Sequence, residues 1–163
     1  MDLKKSQTII ILNNIRSSEN VGSIFRTCDA AGVSKIILCG YTPAPVDRFG
    51  RENKGLTKAS LGAEKFLEWE REESLKVASE KLKEEGFKIV GVEQDKDAIT
   101  YTKIRGREKL YNLAFVFGNE TEGLSKKDLK LCDLVAEIPM RGKKESLNVA
   151  VAAGIILFNN HIR

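Results

Sequence analysis

Ile138-Pro139-Met140-Arg141-Gly142, followed by Glu145-Ser146-Leu147-Asn148-Val149-Ala150-Val151-Ala152-Ala153-Gly154, is the stretch on which the reading of this chain turns. The apolar run Leu134 to Ile138 reads as a strand that stops at a proline. A glycine and a basic loop follow, and then two small polar residues open an apolar helix over Leu147 to Asn160. Ser146 and Asn148 are thereby expected at a helix N-terminus, where free N–H groups and the positive dipole end gather negative charge. Alone, such a serine reads as an ordinary cap. Its weight comes from two further polar-plus-glycine clusters placed after apolar strands. These are Asn20-Val21-Gly22-Ser23-Ile24-Phe25-Arg26 and Phe117-Gly118-Asn119-Glu120-Thr121-Glu122-Gly123-Leu124.

Outward from these clusters, short apolar runs alternate with helical patterns. Thr8 to Leu12 is a continuous apolar, β-branched run, as a strand buried on both faces requires. A helix follows, capped near Ser17 or Ser18, with Val21, Ile24, Phe25 and Cys28 at helical spacing and Gly32 at its end. Lys35 to Cys39, Phe87 to Val92 and Leu113 to Phe117 read as further strands, and 72–85 and 125–131 as helices. The segment 40–55, with Pro43, Pro45 and Gly50, reads as a long irregular loop, a common seat of function. Leu61 to Trp69 fits a short helix or an extended segment equally. Strands separated by helices predict a single α/β domain over 1–163, a mostly parallel sheet sandwiched by helices. The final helix is apolar nearly all round, which calls for cover on more than one side, and a subunit interface would supply it.

Of the 163 residues, 42% are hydrophobic and 31% charged, the balance of an ordinary globular protein. No apolar run approaches the ~20 residues of a membrane span, and the N-terminus lacks the core of a signal peptide, so no membrane association and a cytoplasmic setting are expected. Cys28, Cys39 and Cys132 are scattered in apolar contexts, and His161 is the lone histidine. That composition excludes a histidine-rich metal site, so no metal is expected, and it disfavours a Ser-His-Asp triad. The net charge of +4 is only mildly basic. Its distribution says more: basic residues gather at Arg48, Arg51, Lys54 and Lys58, at Lys103, Arg105, Arg107 and Lys109, and at Arg141, Lys143 and Lys144. One such group is a solvated surface; three, one of them beside Ser146, fit contacts to phosphates. No Gly-x-Gly-x-x-Gly follows the first strand and no Gly-Lys-Ser/Thr loop is present. These absences argue against a dinucleotide oxidoreductase and a P-loop enzyme.

Taken together, the three clusters resemble the motifs of the SpoU (TrmH-like) family of RNA ribose 2′-O-methyltransferases, within the SPOUT superfamily. Asn20, Gly22 and Arg26 match the first motif, Gly118, Glu120 and Gly123 the second, and Ser146-Leu147-Asn148 the third, in the family's order and spacing. The resemblance runs from about Ile9 to the C-terminus. It implies S-adenosylmethionine as cofactor, a deep trefoil knot in the C-terminal third, a homodimer, and an RNA substrate, tRNA before rRNA. Arg26 would be the central catalytic residue, Asn20 would position it or the ribose, and Glu120, Ser146 and Asn148 would complete a polar cage. Backbone groups at Val92, Glu93, Gly118, Ile138 and Leu147 would hold the cofactor. A guanidinium is essentially never deprotonated, so Arg26 is expected to bind phosphate and stabilise a developing alkoxide rather than act as a base. The alternative reading is a non-catalytic RNA-binding protein of the same fold, which would have little use for Arg26, Glu120, Ser146 and Asn148 together.

Overall fold

A computed structural model describes residues 6–104 and 112–161. Its strands are β1 (Thr8–Asn13), β2 (Lys35–Cys39), β3 (Glu68–Glu72), β4 (Phe87–Val92), β5 (Ile99–Thr100), β6 (Asn112–Phe117) and β7 (Leu134–Glu137). They form one sheet in the order β3-β2-β1-β6-β4-β7-β5, with every pairing parallel. The helices are α1 (Ser18–Ala31), α2 (Lys54–Ser60), α3 (Leu75–Glu84), α4 (Lys126–Leu129) and α5 (Val149–His161).

The two-residue period of a strand sends alternate side chains to opposite sheet faces, and both faces here are apolar. Ile10, Leu12, Phe115 and Phe117 join the core beneath α1, α2 and α5, whereas Ile9, Ile11, Ala114 and Val116 join a second core that includes Leu75, Ala78 and Leu82 of α3. The sandwich expected from the alternating pattern is therefore present. Ser17 caps α1 by accepting a hydrogen bond from the Asn20 N–H at 3.1 Å, and Gly32 closes it at φ 73°. Gly22 has a packing reason: a Cβ there would lie 2.2 Å from the Leu56 carbonyl oxygen, so α1 and α2 touch through bare backbone.

Three local expectations are corrected. The ambiguous segment resolves into a 3-10 turn (Ala63–Lys65) and then β3, and α3 accordingly begins at Leu75 rather than at residue 72. β3 reads Glu-Trp-Glu-Arg-Glu because it is an edge strand, where charges guard unpaired backbone; Lys35 on β2 bridges Glu68 at 3.1 Å and Glu70 at 3.3 Å. Lys54 lies not in a loop but at the start of α2, whose cap is Asn53. Finally, α5 is opened by Asn148 rather than Ser146, for the Asn148 Oδ1 accepts from the N–H groups of Ala150 (2.9 Å) and Val151 (3.4 Å). Along α5, Val149, Ala153, Ile156 and Leu157 are buried against the core, while Val151 and Phe158 are exposed. No helix among the described residues is long and apolar enough to cross a membrane.

Candidate active site

Ligands of open parallel sheets gather beyond the carboxyl ends of the strands. Here a cleft of about 700 Å³ opens there, beyond the ends of β4, β6 and β7, between the start of α1 and the start of α5. Val92, Glu93, Gly118, Ile138 and Leu147 all line it, as do Asn20, Glu120, Ser146 and Asn148. Three clusters separated by up to 128 positions in the chain thus meet in one place.

Hydrogen bonds join them in a single line. The Glu120 carboxylate accepts from the backbone N–H of Arg16 (2.9 Å) and of Ser17 (3.0 Å), and from the Asn20 Nδ2 (3.2 Å). The Asn20 Oδ1 in turn accepts from the Asn148 Nδ2 at 3.1 Å, and the Asn148 Oδ1 caps α5. Each amide is oriented by what it must satisfy at either end. Partial burial pushes the Glu120 carboxyl upward, but the N–H groups of Arg16, Ser17 and Glu120 itself and the Asn20 amide outweigh it and hold its pKa below the ordinary carboxylate range. Glu120 is thereby an anion at neutral pH, placed where the chain entering α1 presents the N–H groups of Arg16 and Ser17.

The floor of the cleft depends on Gly118. A Cβ there would lie 2.5 Å from the Gly123 carbonyl carbon and oxygen, so the turn 119–123 folds back directly over the end of β6. Asn119 holds that turn: its Oδ1 accepts from the N–H of Thr121 (2.8 Å) and Glu122 (3.0 Å). Its Nδ2 donates to the Asn14 carbonyl (3.1 Å) and the Tyr41 hydroxyl (2.8 Å). On the far wall the Glu93 carboxylate accepts from the Leu124 N–H (2.9 Å), and Gln94 donates to the Ile138 carbonyl (3.2 Å). Asn119, Gln94, Phe117 and Met140 were not singled out by sequence reading. Asn119 alone carried a signal, an Asx residue before a positive-φ glycine, the pattern of a side-chain-closed turn.

Arg26 stands apart. It is exposed, lies outside the cleft, and has no hydrogen-bond or ion-pair partner among the described residues. It shares a face of α1 with Ser23, Thr27 and Ala30, and Thr27 packs 3.8 Å from the position of a Cβ on Gly154 of α5. Arg26 therefore lies on α1 one position from the residue that meets α5, the helix that bears the exposed Val151 and Phe158. Arg141, Lys143 and Lys144 are exposed in the loop leading to Ser146, at the lip of the cleft. Arg48 and Arg51 lie on the loop between β2 and α2; Arg51 is paired with Asp47 at 2.7 Å. Arg105 and Arg107 lie outside the described residues. No group of side chains suited to a metal ion occurs among the described residues.

The chain is similar to several known proteins. A protein of Staphylococcus aureus (strain COL) named for the TrmH family of tRNA/rRNA methyltransferases is 34% identical over 151 residues, covering 93% of this chain and 57% of its own length. This chain thus spans a little over half the length of that relative. Among solved structures, an AdoMet-bound rRNA methyltransferase from Sinorhizobium meliloti superposes with a TM-score of 0.85 at 28% identity, over 98% of this chain and 57% of that one. The TrmH/SpoU tRNA modifying enzyme of A. aeolicus gives 0.79 at 29% identity, over 97% of this chain and 76% of the other. Residues 7–158, which contain all three clusters and the cleft they build, match the SpoU rRNA Methylase family, and the chain belongs to that family.

Proposed function

We propose that this protein transfers a methyl group from S-adenosylmethionine to a ribose 2′-hydroxyl of RNA, with tRNA preferred over rRNA. The observation that carries the reading is the hydrogen-bonded line Glu120–Asn20–Asn148 at the mouth of the cleft, with Ser146 beside it. The residues present fit such a cofactor. Apolar walls from Val92, Phe117, Ile138 and Leu147 suit an adenine ring and a thioether, and bare backbone at Gly118 lets polar groups approach closely. When bound, the cofactor supplies a methyl on a positively charged sulfur, an electrophile that needs an aligned nucleophile.

Alignment is where the chain's own residues act, and orientation alone is worth several kcal/mol of barrier. Asn20 and Asn148 hold each other and fix the spacing of the two helix starts. Ser146, exposed and without a hydrogen-bond partner among the described residues, is available to the ribose. Arg26 binds the phosphate beside that ribose and stabilises negative charge on the 2′-oxygen, whose proton passes to water. Because Arg26 lies outside the cleft of its own subunit, on the helix that packs against α5 with its exposed Val151 and Phe158, we read the active unit as a homodimer in which α1 and α5 form the contact. A knotted C-terminal third, a single methyltransferase domain and a cytoplasmic location complete the reading. The tRNA preference draws support from the tRNA modifying relative, whose length this chain covers to 76%.

The test is incubation with methyl-labelled S-adenosylmethionine and either bulk tRNA or bulk rRNA, followed by nucleoside mass spectrometry. Label in 2′-O-methylnucleosides of tRNA is the expected result. Label confined to bases overturns the ribose assignment, and RNA binding with no transfer favours the non-catalytic alternative.

A further inference from the structure

A second concavity of about 810 Å³ opens between the loop 41–53 and the edge strand β3, at Trp69 and Arg71. Its walls combine aromatic rings with guanidinium groups: Tyr41, Phe49 and Trp69, with Arg48, Arg51 and Arg71. Phe49 keeps 67% of its surface in water and Tyr41 59%, an unfavourable exposure for large rings unless something covers them. The loop is nevertheless built rather than loose. The Asp47 carboxylate accepts from the N–H groups of Phe49 (2.8 Å) and Arg51 (2.9 Å) and pairs with the Arg51 side chain. The Arg71 guanidinium donates to the carbonyls of Thr42 (2.8 Å) and Gly40 (2.9 Å). Arg48 and Arg51 then sit over the Phe49 ring, 4.7 and 5.1 Å from its centroid. With Arg51 held by Asp47 and Arg71 by carbonyls, Arg48 is the cation of this group left without a hydrogen bond or ion pair among the described residues.

The concavity also has a fixed relation to the cleft. Tyr41, on its wall, accepts through its hydroxyl the hydrogen bond of Asn119, which lines the cleft. A strand of RNA with one ribose in the cleft would carry its neighbouring nucleotide toward Tyr41 and Phe49. The geometry points to a stacking subsite here: an unpaired base flanking the methylated nucleotide packs against the exposed surface of Phe49 and the guanidinium planes that lie over it, with the free donors of Arg48 turned to its phosphate. Exposed rings with arginines beside them are what single-stranded nucleic acid demands, since every base offers a π face and every linkage a charge. Two-base-paired strands do not present such a face. The inference rests on the RNA reading above and adds to it the form of RNA, single-stranded around the target.

Trp69 is the chain's single tryptophan and lines this concavity, so its fluorescence reports occupancy directly. The wild-type protein is titrated with a short single-stranded RNA oligonucleotide, its abasic counterpart of equal charge, and its duplex. The single strand is expected to quench Trp69 and to bind several-fold more tightly than the other two. Phe49→Ala should weaken that binding by roughly tenfold or more, while Phe49→Tyr restores it. S-adenosylmethionine binding, measured by calorimetry, stays unchanged in both variants and shows that they are folded. Equal affinity for the abasic strand, no quench with any RNA, or unchanged affinity in Phe49→Ala overturns the subsite. Methyl transfer is scored separately: stacking without transfer by the wild type overturns the enzyme assignment and leaves the subsite standing.

Discussion

Replacing Glu120 with glutamine tests whether the charge at the mouth of the cleft organises the site. The wild-type carboxylate takes three donors, the N–H groups of Arg16 and Ser17 and the Asn20 amide, at 2.9 to 3.2 Å. Glutamine can keep its oxygen toward Ser17 and Asn20, but its NH2 then faces the Arg16 N–H, donor against donor. One charge-assisted hydrogen bond, generally about 1.5–3 kcal/mol, is lost, and with it a favourable charge at a helix start of about 0.3–1 kcal/mol. Glu120 is only partly buried, so water screens much of this, and the net cost at pH 7 is about 1–2 kcal/mol. The sign with pH follows from its lowered pKa. The contribution is fully present above the unfolded-chain value of about 4.3 and is lost as pH falls through the lower folded value, where the wild type becomes neutral too. Urea unfolding followed by Trp69 fluorescence, at pH 7 and at successively lower pH, measures both. A stability difference that is absent at pH 7, or that does not shrink on acidification, would refute the argument.

Other expectations follow from the same geometry. Arg26→Ala should abolish methyl transfer with cofactor affinity unchanged, and Arg26→Lys should rescue little because a point charge does not replace a planar fork; single-turnover assays beside calorimetry separate the two quantities. The wild type should sediment as a dimer at micromolar concentration, and Val151→Glu together with Phe158→Glu, both at exposed positions, should give a folded monomer. Neutralising Lys143 and Lys144 together should flatten the log–log salt dependence of RNA binding by about 1 to 2 units, at roughly 0.7 per phosphate contact for single strands. An unchanged slope there places the RNA on another approach.

The sheet's interior was readable from the chain because burial on both faces forces continuous apolar runs. β1, β2 and β6 show them, β4 and β7 are broken only by Lys88 and Glu137, and the observed limits of all five lie within a residue of the strands read from the sequence. The edges were not readable for the opposite reason. β3 has charged residues at most positions because one side of it faces water, and β5 is a two-residue strand defined only by pairing with β7. The start of α5 shows a different limit. Ser146 and Asn148 are equally good caps by type, and the choice fell to Asn148 because its Nδ2 also finds the Asn20 Oδ1 on another helix. Gly22 makes the same point: a glycine in a polar cluster looks like room for a ligand, yet the space it leaves is taken by the Leu56 carbonyl of α2.

Much of the lining of the cleft was legible, but the place of Arg26 outside it and the division of labour within it were not. Sequence offers Asn20, Arg26, Glu120, Ser146 and Asn148 as one polar set. The structure divides them by what their polar atoms already do. Asn20, Glu120 and Asn148 spend theirs on one another and on the first turns of α1 and α5, where a lost partner would leave a partly buried donor or acceptor unsatisfied. Ser146 and Arg26 have no such obligations among the described residues and are both exposed. A group bound to its neighbours can position, and a group with free donors can meet a substrate. On that division the three paired residues set the distance between two helix starts, and substitutions there should act on alignment and stability together. Ser146 and Arg26 should act on transfer alone, and the contrast between the two classes is the signature that a merely structural network would lack.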